Sequence, residues 1–138
     1  MKKALLDSCV FLDFFTSKER QEKASAYLRA VSRGEMQAAV SSFTLLEVKY
    51  HVRRLLGRKK ADEAIYHLLS LPNLEVISLS QEIAGIAADL RLKYYYKNKV
   101  FSFGDAIQFA TAISSFCSCI ITADDDFRGL EEIRAEIY

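Results

Sequence analysis

The sequence predicts an α/β domain built on a mainly parallel sheet, and three observations point to it. Short apolar runs alternate with longer helix-like patterns along all 138 residues, the rhythm of strand–helix–strand units. Hydrophobic residues make up 51% of the chain, which rules out a disordered chain and suffices for a real core. Only one proline and five glycines are present, and no stretch reads as a linker, so residues 1–138 are expected to form one domain.

The elements follow in order. Lys3 to Leu6 is a short apolar strand ending at Asp7. A helix is expected over about Lys18 to Arg33, closed by Gly34, and no element is assigned between Asp7 and Lys18. Met36 to Val40 is the second strand. Ser41 or Ser42 caps a helix that runs to about Leu56 and stops at Gly57. Another helix fits about Lys60 to Leu71, before Pro72. Leu74 to Leu79 alternates as a strand. Ser80 caps a helix whose apolar stripe is Ile83, Ile86, Ala87, Leu90 and Tyr94. Phe101 to Cys117 is a nearly all-apolar helix, Ser118 to Thr122 a strand, and Arg134 to Tyr138 a last short strand.

Composition excludes several classes. No apolar run approaches the roughly 20 residues of a bilayer span. Asp7 and Asp13 interrupt the apolar N-terminal region, against a signal peptide. Cys9, Cys117 and Cys119 form an odd set without a CxxC pair, so they read as small buried residues in a reducing compartment, and a cytoplasmic location follows. The net charge is +1, but its distribution is uneven. Lys49, Arg53, Arg54, Arg58, Lys59 and Lys60 form one acid-free basic stretch, and Arg91, Lys93, Lys97 and Lys99 form another around Tyr94-Tyr95-Tyr96. A near-neutral total can hide an acidic centre with basic flanks.

Four carboxylates carry the chemistry: Asp7, Glu47, Asp105 and Asp124. In an open parallel sheet, ligands bind at the carboxyl ends of strands. Asp7 and Asp124 fall at such ends, and Glu47 and Asp105 fall in first helical turns. Each has a structural explanation. Thr44-x-x-Glu47 and Ser102-x-x-Asp105 fit the capping-box pattern, and Asp7 and Asp124 fit N-caps or turns. Gathered at one edge, however, they repel. At about 4–5 Å and an effective dielectric near 20, each pair costs roughly 3–4 kcal/mol. A divalent cation relieves this, and oxygen-only ligands suit Mg²⁺ or Mn²⁺. His51 and His67 lack ligand spacing and read as packing or surface residues. Arg54, seven residues after Glu47, shares its helix face and could reach a phosphate, as could Lys49. The Tyr94–Tyr96 run could stack bases, or give one tyrosine to the core and leave the others at an edge. No Walker loop, GxGxxG or GxSxG is present.

The order and spacing of four motifs resemble the PIN-domain ribonucleases, and most closely the VapC-type toxins of toxin–antitoxin pairs. The motifs are Leu6-Asp7-Ser8, Thr44-Leu45-Leu46-Glu47, Asp105-Ala106-Ile107-Gln108-Phe109-Ala110-Thr111-Ala112 and Thr122-Ala123-Asp124-Asp125-Asp126-Phe127. The resemblance spans essentially the whole chain. It implies a three-layer α/β/α sandwich and an Mg²⁺- or Mn²⁺-dependent endoribonuclease. In this reading Asp7, Glu47, Asp105 and Asp124 form the catalytic and metal-binding site, Asp126 is a secondary acid, and Ser8 and Thr122 support the site. The resemblance also implies an RNA substrate, a homodimer and a small antitoxin partner. Cys9 stands where the family often has Ser or Asn, which bears on loop geometry rather than on the acids.

Other classes remain open from sequence. A haloacid-dehalogenase-type phosphatase needs a second aspartate two residues after the first, where this chain has Cys9. A non-catalytic binding module and a housekeeping RNA-processing nuclease are further alternatives. The nuclease reading expects both basic stretches to hold phosphates flanking the cut.

Overall fold

The structure is a computed structural model and describes residues 2–138. Strand β1 (Lys3–Leu6) lies at the centre of the sheet, which is why Ala4, Leu5 and Leu6 are all apolar and fully buried. A strand covered on both faces reads as a continuous apolar run. It pairs in parallel with β2 (Gln37–Ser41) on one side and β4 (Cys119–Thr122) on the other. β3 (Leu74–Ile77) extends the sheet beyond β2, and β5 (Arg134–Ile137) beyond β4. The order is β3-β2-β1-β4-β5, and every pairing is parallel.

Six helices cover the two faces among the described residues: α1 (Ser8–Thr16), α2 (Gln21–Ser32), α3 (Ser42–Leu56), α4 (Arg58–Ser70), α5 (Gln81–Tyr95) and α6 (Phe103–Ser114). Alternation along the strands sorts the core into two layers. Ala4, Leu6, Ala38, Val40, Cys119 and Ile121 pack with α1 to α4. Leu5, Ala39 and Ile120 pack with α5 and α6. The result is the three-layer α/β/α sandwich.

The expected elements are present with shifts of a few residues at their ends, and α1 is an addition. Its sequence, Ser8-Cys9-Val10-Phe11-Leu12-Asp13-Phe14-Phe15-Thr16, has too little polar contrast to show a helical period. Asp7 starts it as N-cap, accepting a hydrogen bond from the Ser8 N–H. α2 ends as expected, with Gly34 at φ +76°, a backbone state that glycine adopts without strain. The Thr44-x-x-Glu47 capping box does not form. Ser41 caps α3 instead, accepting from the Phe43 N–H, and Thr44 lies fully buried inside the helix.

The face under α5 and α6 is aromatic. Phe109 is fully buried, its ring 5.8 Å from that of Tyr94 and 6.0 Å from that of Phe101. Phe109→Ala is expected to cost about 3–5 kcal/mol through lost burial and the cavity left behind. Urea unfolding followed by circular dichroism measures it. At the start of α6, a side chain on Gly104 would come within 2.7 Å of the Phe43 ring. Glycine there lets α6 approach α3 closely, and this brings Asp105 towards the helix that carries Glu47.

Candidate active site

The chain runs outward from β1 through β2 to β3, then returns to add β4 and β5 on the other side. β1 and β4 are therefore neighbours whose crossovers depart in opposite directions. The crevice at their carboxyl ends is the switch point where open α/β sheets bind ligands. Asp7 follows β1 directly, and Asp124 lies two residues beyond the end of β4 at Thr122. Asp105 stands in the first turn of α6, its N–H bonded to the Ser102 hydroxyl at 3.0 Å, so that half of the expected capping box forms. Asp124 caps the short 3₁₀ turn Asp125–Phe127, accepting from the Asp126 N–H at 2.9 Å.

The structure gathers two of the four expected acids with a third, while Asp7 and Glu47 lie outside that group. Asp105, Asp124 and Asp126 each offer a carboxylate oxygen within 4.8 Å of the others. Asp126, expected to be secondary, is a full member of this group. Asp7 is 7% exposed, and its charge acts on Asp105. Its Oδ1 accepts from the Ser8 N–H at 2.8 Å, and its Oδ2 accepts from the Thr122 hydroxyl at 2.8 Å and the Cys9 thiol at 3.3 Å. Thr122 Oγ1 also accepts from the Asp124 N–H at 3.0 Å, so one hydroxyl fixes Asp7 and the Asp124 backbone together. Glu47 Oε1 accepts from the Ser8 hydroxyl at 2.6 Å.

The electrostatics follow from this crowding. Burial pushes the Asp7 carboxyl up, hydrogen bonds from Thr122, Cys9 and Ser8 pull it back, and the charge on Glu47 adds to the rise. Asp105 is pushed up to about 6, first by burial and then by the charges on Asp7, Asp124 and Asp126. No lysine, arginine or histidine forms an ion pair with Asp7, Glu47, Asp105, Asp124 or Asp126 among the described residues. Cys9 joins the two strand ends rather than loosening the loop: the Ala123 N–H donates to its sulfur at 3.2 Å. Burial and the nearby Asp7 charge push its thiol well up, so it stays protonated.

The two basic stretches part company. Lys93 bonds Glu131 at 2.8 Å and Glu132 at 2.7 Å, and Lys97 pairs with Glu131. Lys99 donates to the Arg128 carbonyl, and Arg91 donates to the Phe101 carbonyl while lying over the Phe103 ring. This stretch is thus spent largely on the C-terminal acids and on local carbonyls. Lys49, Arg53 and Arg54 on α3 have no acidic partner among the described residues and line one hollow with Leu46 and Tyr50. Arg54 lies two helical turns, about 10 Å, beyond Glu47. Tyr94 is a core residue at 3% exposure, whereas Tyr95 and Tyr96 are exposed. His67 stacks on Phe14 and His51 meets the edge of Tyr50, both packing roles.

Sequence reasoning missed Gln108. It is fully buried in α6 and donates from Nε2 to Ser8 Oγ at 3.0 Å and to Thr44 Oγ1 at 2.8 Å. A lone glutamine inside an otherwise apolar helix face is the one sequence signal that could have drawn notice.

A parallel five-stranded sheet, flanked by helices and carrying acids at its switch point, defines a class, and the sequence profile of that class fits. The chain belongs to the PIN-domain family, whose profile matches residues 4–133. No curated protein gives a significant sequence match. Solved structures do match. The VapBC2 complex of Rickettsia felis, bound to a DNA fragment from its promoter, contains a chain with a TM-score of 0.79 at 18% identity, over 98% of both chains. A toxin–antitoxin complex from Klebsiella pneumoniae matches with a TM-score of 0.69 at 26% identity, over 94% of both chains. Mycobacterium tuberculosis VapC20, a sarcin–ricin-loop-cleaving toxin, matches with a TM-score of 0.74 at 19% identity, over 95% of this chain and 98% of that one. The fold is the one found in VapC toxins. No helix among the described residues is long and apolar enough to cross a membrane.

Proposed function

We propose that this protein is a single-domain, metal-dependent endoribonuclease that hydrolyses RNA phosphodiester bonds as the cytoplasmic toxin of a type II toxin–antitoxin pair. One observation carries the nuclease reading: Asp105, Asp124 and Asp126 gather within 4.8 Å at the switch point, the charge of Asp7 acts on Asp105, and no basic side chain among the described residues pairs with them. The donor set is oxygen only, which fits Mg²⁺ or Mn²⁺ and disfavours softer ions. Asp7, Glu47, Asp105 and Asp124 would hold the ion, with Asp126 as a further ligand. Once bound, the ion supplies charge neutralisation at the scissile phosphate and acidifies a water.

The chain's own groups do the rest. Asp105 or Asp124 would orient the attacking water and take its proton. Ser8 and Thr122 hold Glu47 and Asp7 in fixed orientations through the 2.6 Å and 2.8 Å hydrogen bonds. Lys49 and Arg54 bind flanking phosphates. In-line attack leaves a 5′-phosphate and a 3′-hydroxyl. The antitoxin partner is supported by the toxin–antitoxin complex that matches at 26% identity. A homodimer is supported by the exposed apolar side chains Leu92, Tyr95 and Phe103 of α5 and α6, a face of the kind that marks protein contacts.

A total RNA pool with mapped ends tests the proposal. The wild type is expected to cut at discrete sites, and EDTA or Asp105→Asn to stop it. Cleavage that continues undiminished in excess EDTA would refute the metal-dependent mechanism. Growth arrest on expression, relieved by a small gene adjacent to this one, is expected of a toxin; normal growth points to RNA processing instead.

A further inference from the structure

The donors and acceptors around Ser8 leave one consistent arrangement of protons. Glu47 lies 2.6 Å from Ser8 Oγ, and a carboxylate there can only accept. The single Ser8 proton is therefore committed to Glu47. Whatever else faces Ser8 Oγ must donate, and this fixes the Gln108 amide with Nε2 towards it at 3.0 Å. The second Nε2 proton goes to Thr44 Oγ1 at 2.8 Å. Thr44 is the competing acceptor for the Ser8 proton, but at 3.3 Å from Ser8 Oγ it is the longer contact, against 2.6 Å to Glu47. The amide oxygen is buried with no protein hydrogen-bond partner among the described residues. An unmet buried acceptor is destabilising, so packing alone would favour an apolar residue here.

From this geometry we infer that Gln108 is a positioning residue for Glu47, acting through the Ser8 hydroxyl. By donating to Ser8 Oγ it fills an acceptor site on that oxygen and orients the hydroxyl so that its proton points to Glu47 Oε1, the shorter of its two contacts. That leaves Glu47 Oε2 as the oxygen free to face the acidic pocket. Gln108 is not a catalytic residue; it is separated from the acids by Ser8. The inference rests on the reading of Glu47 as a metal ligand, and it adds a third layer, Gln108 to Ser8 to Glu47, behind that ligand. Groups that orient a ligand in this way commonly change metal affinity 10- to 100-fold when removed.

Calorimetric titration of the full chain with Mn²⁺ alone tests it, with Glu47→Gln as the reference for loss of the ligand. Gln108→Met keeps the length of the side chain and removes its donors. It is expected to bind Mn²⁺ about 10-fold more weakly than wild type while its melting temperature stays the same or rises. In a Ser8→Ala background the same change is expected to cost nothing further, because the link it acts through is gone. Gln108→Leu replaces Gln108→Met should the latter fail to fold. Wild-type Mn²⁺ affinity in a folded Gln108 variant, alongside a weakened Glu47→Gln, overturns the role of Gln108 and leaves the metal site standing. An undiminished effect of Gln108→Met in the Ser8→Ala background overturns the route through Ser8. A wild-type protein that binds no Mn²⁺ overturns the metal reading and this inference together.

Discussion

Asp105→Asn is expected to lower RNA cleavage by about 1000-fold or more and, at the same time, to make the metal-free protein more stable at neutral pH. The two effects share a cause. Burial and the charges of Asp7, Asp124 and Asp126 raise the Asp105 carboxyl from 3.8 to about 6. Between those values the folded protein holds a proton that the unfolded chain has released. Stability therefore falls as pH rises through this window and stays lowered above about 6. The displacement corresponds to at most about 3 kcal/mol, and the partial exposure of Asp105 reduces it to about 1–2 kcal/mol. Asn carries no charge at any pH, so the variant escapes the penalty, and its melting temperature at pH 7.5 is expected to rise by about 4 °C. Below about pH 4 the difference should vanish. Saturating Mn²⁺ reverses the order, because it stabilises the wild type by mass action and the variant much less. Thermal melts at pH 4 and 7.5, with and without Mn²⁺, read all three comparisons. A variant that is less stable than wild type at pH 7.5 without metal would show that the acids do not repel one another as described.

Replacing Lys49, Arg53 and Arg54 together with Ala is expected to weaken RNA binding about 10- to 100-fold while leaving Mn²⁺ affinity intact. These three cations on α3 have no acidic partner among the described residues and line one hollow, and Arg54 shares the helix face of Glu47. Each phosphate contact releases a counterion, so the logarithmic salt slope for a single strand should fall by about 2 when three are lost. Removing Lys93 and Lys97 is expected to change that slope little, because Glu131 and Glu132 already neutralise them. Filter binding of a single-stranded RNA across a salt series compares the two variants. An equal fall in slope for both would place the RNA on the α5 side of the molecule as well.

The difference between these basic stretches was not legible in the sequence. Both are free of acids locally, and the partners of Lys93 and Lys97 lie 38, 39 and 34 residues away in the chain. Separation of this kind explains most of what sequence reading missed. Gln108 reaches Ser8 across 100 residues and Thr44 across 64, so nothing in its neighbours announces a polar role. Thr44 matched a local capping pattern, but β2 ends one turn earlier and Ser41 takes the cap. Helix α1 was hidden for a different reason. Its faces are apolar where they meet α2 and α3, and the 3.6-residue period has no polar side to contrast with. What was legible had a strong local signature. The central strands are buried on both faces and read as apolar runs. Ser80 and Ser102 cap their helices as expected. Asp7 and Asp124 lie at or just beyond strand ends and Asp105 at a helix start, whereas Glu47, expected in a first turn, is the sixth residue of α3 because Ser41 takes the cap.

An anomalous-difference map from a crystal soaked in Mn²⁺ is the most direct test. The expected result is a peak between the carboxylates of Asp105, Asp124 and Asp126, on the side facing Asp7 and Glu47. Well-formed density for all five acids with no manganese among them, at concentrations that saturate known sites of this chemistry, would contradict it.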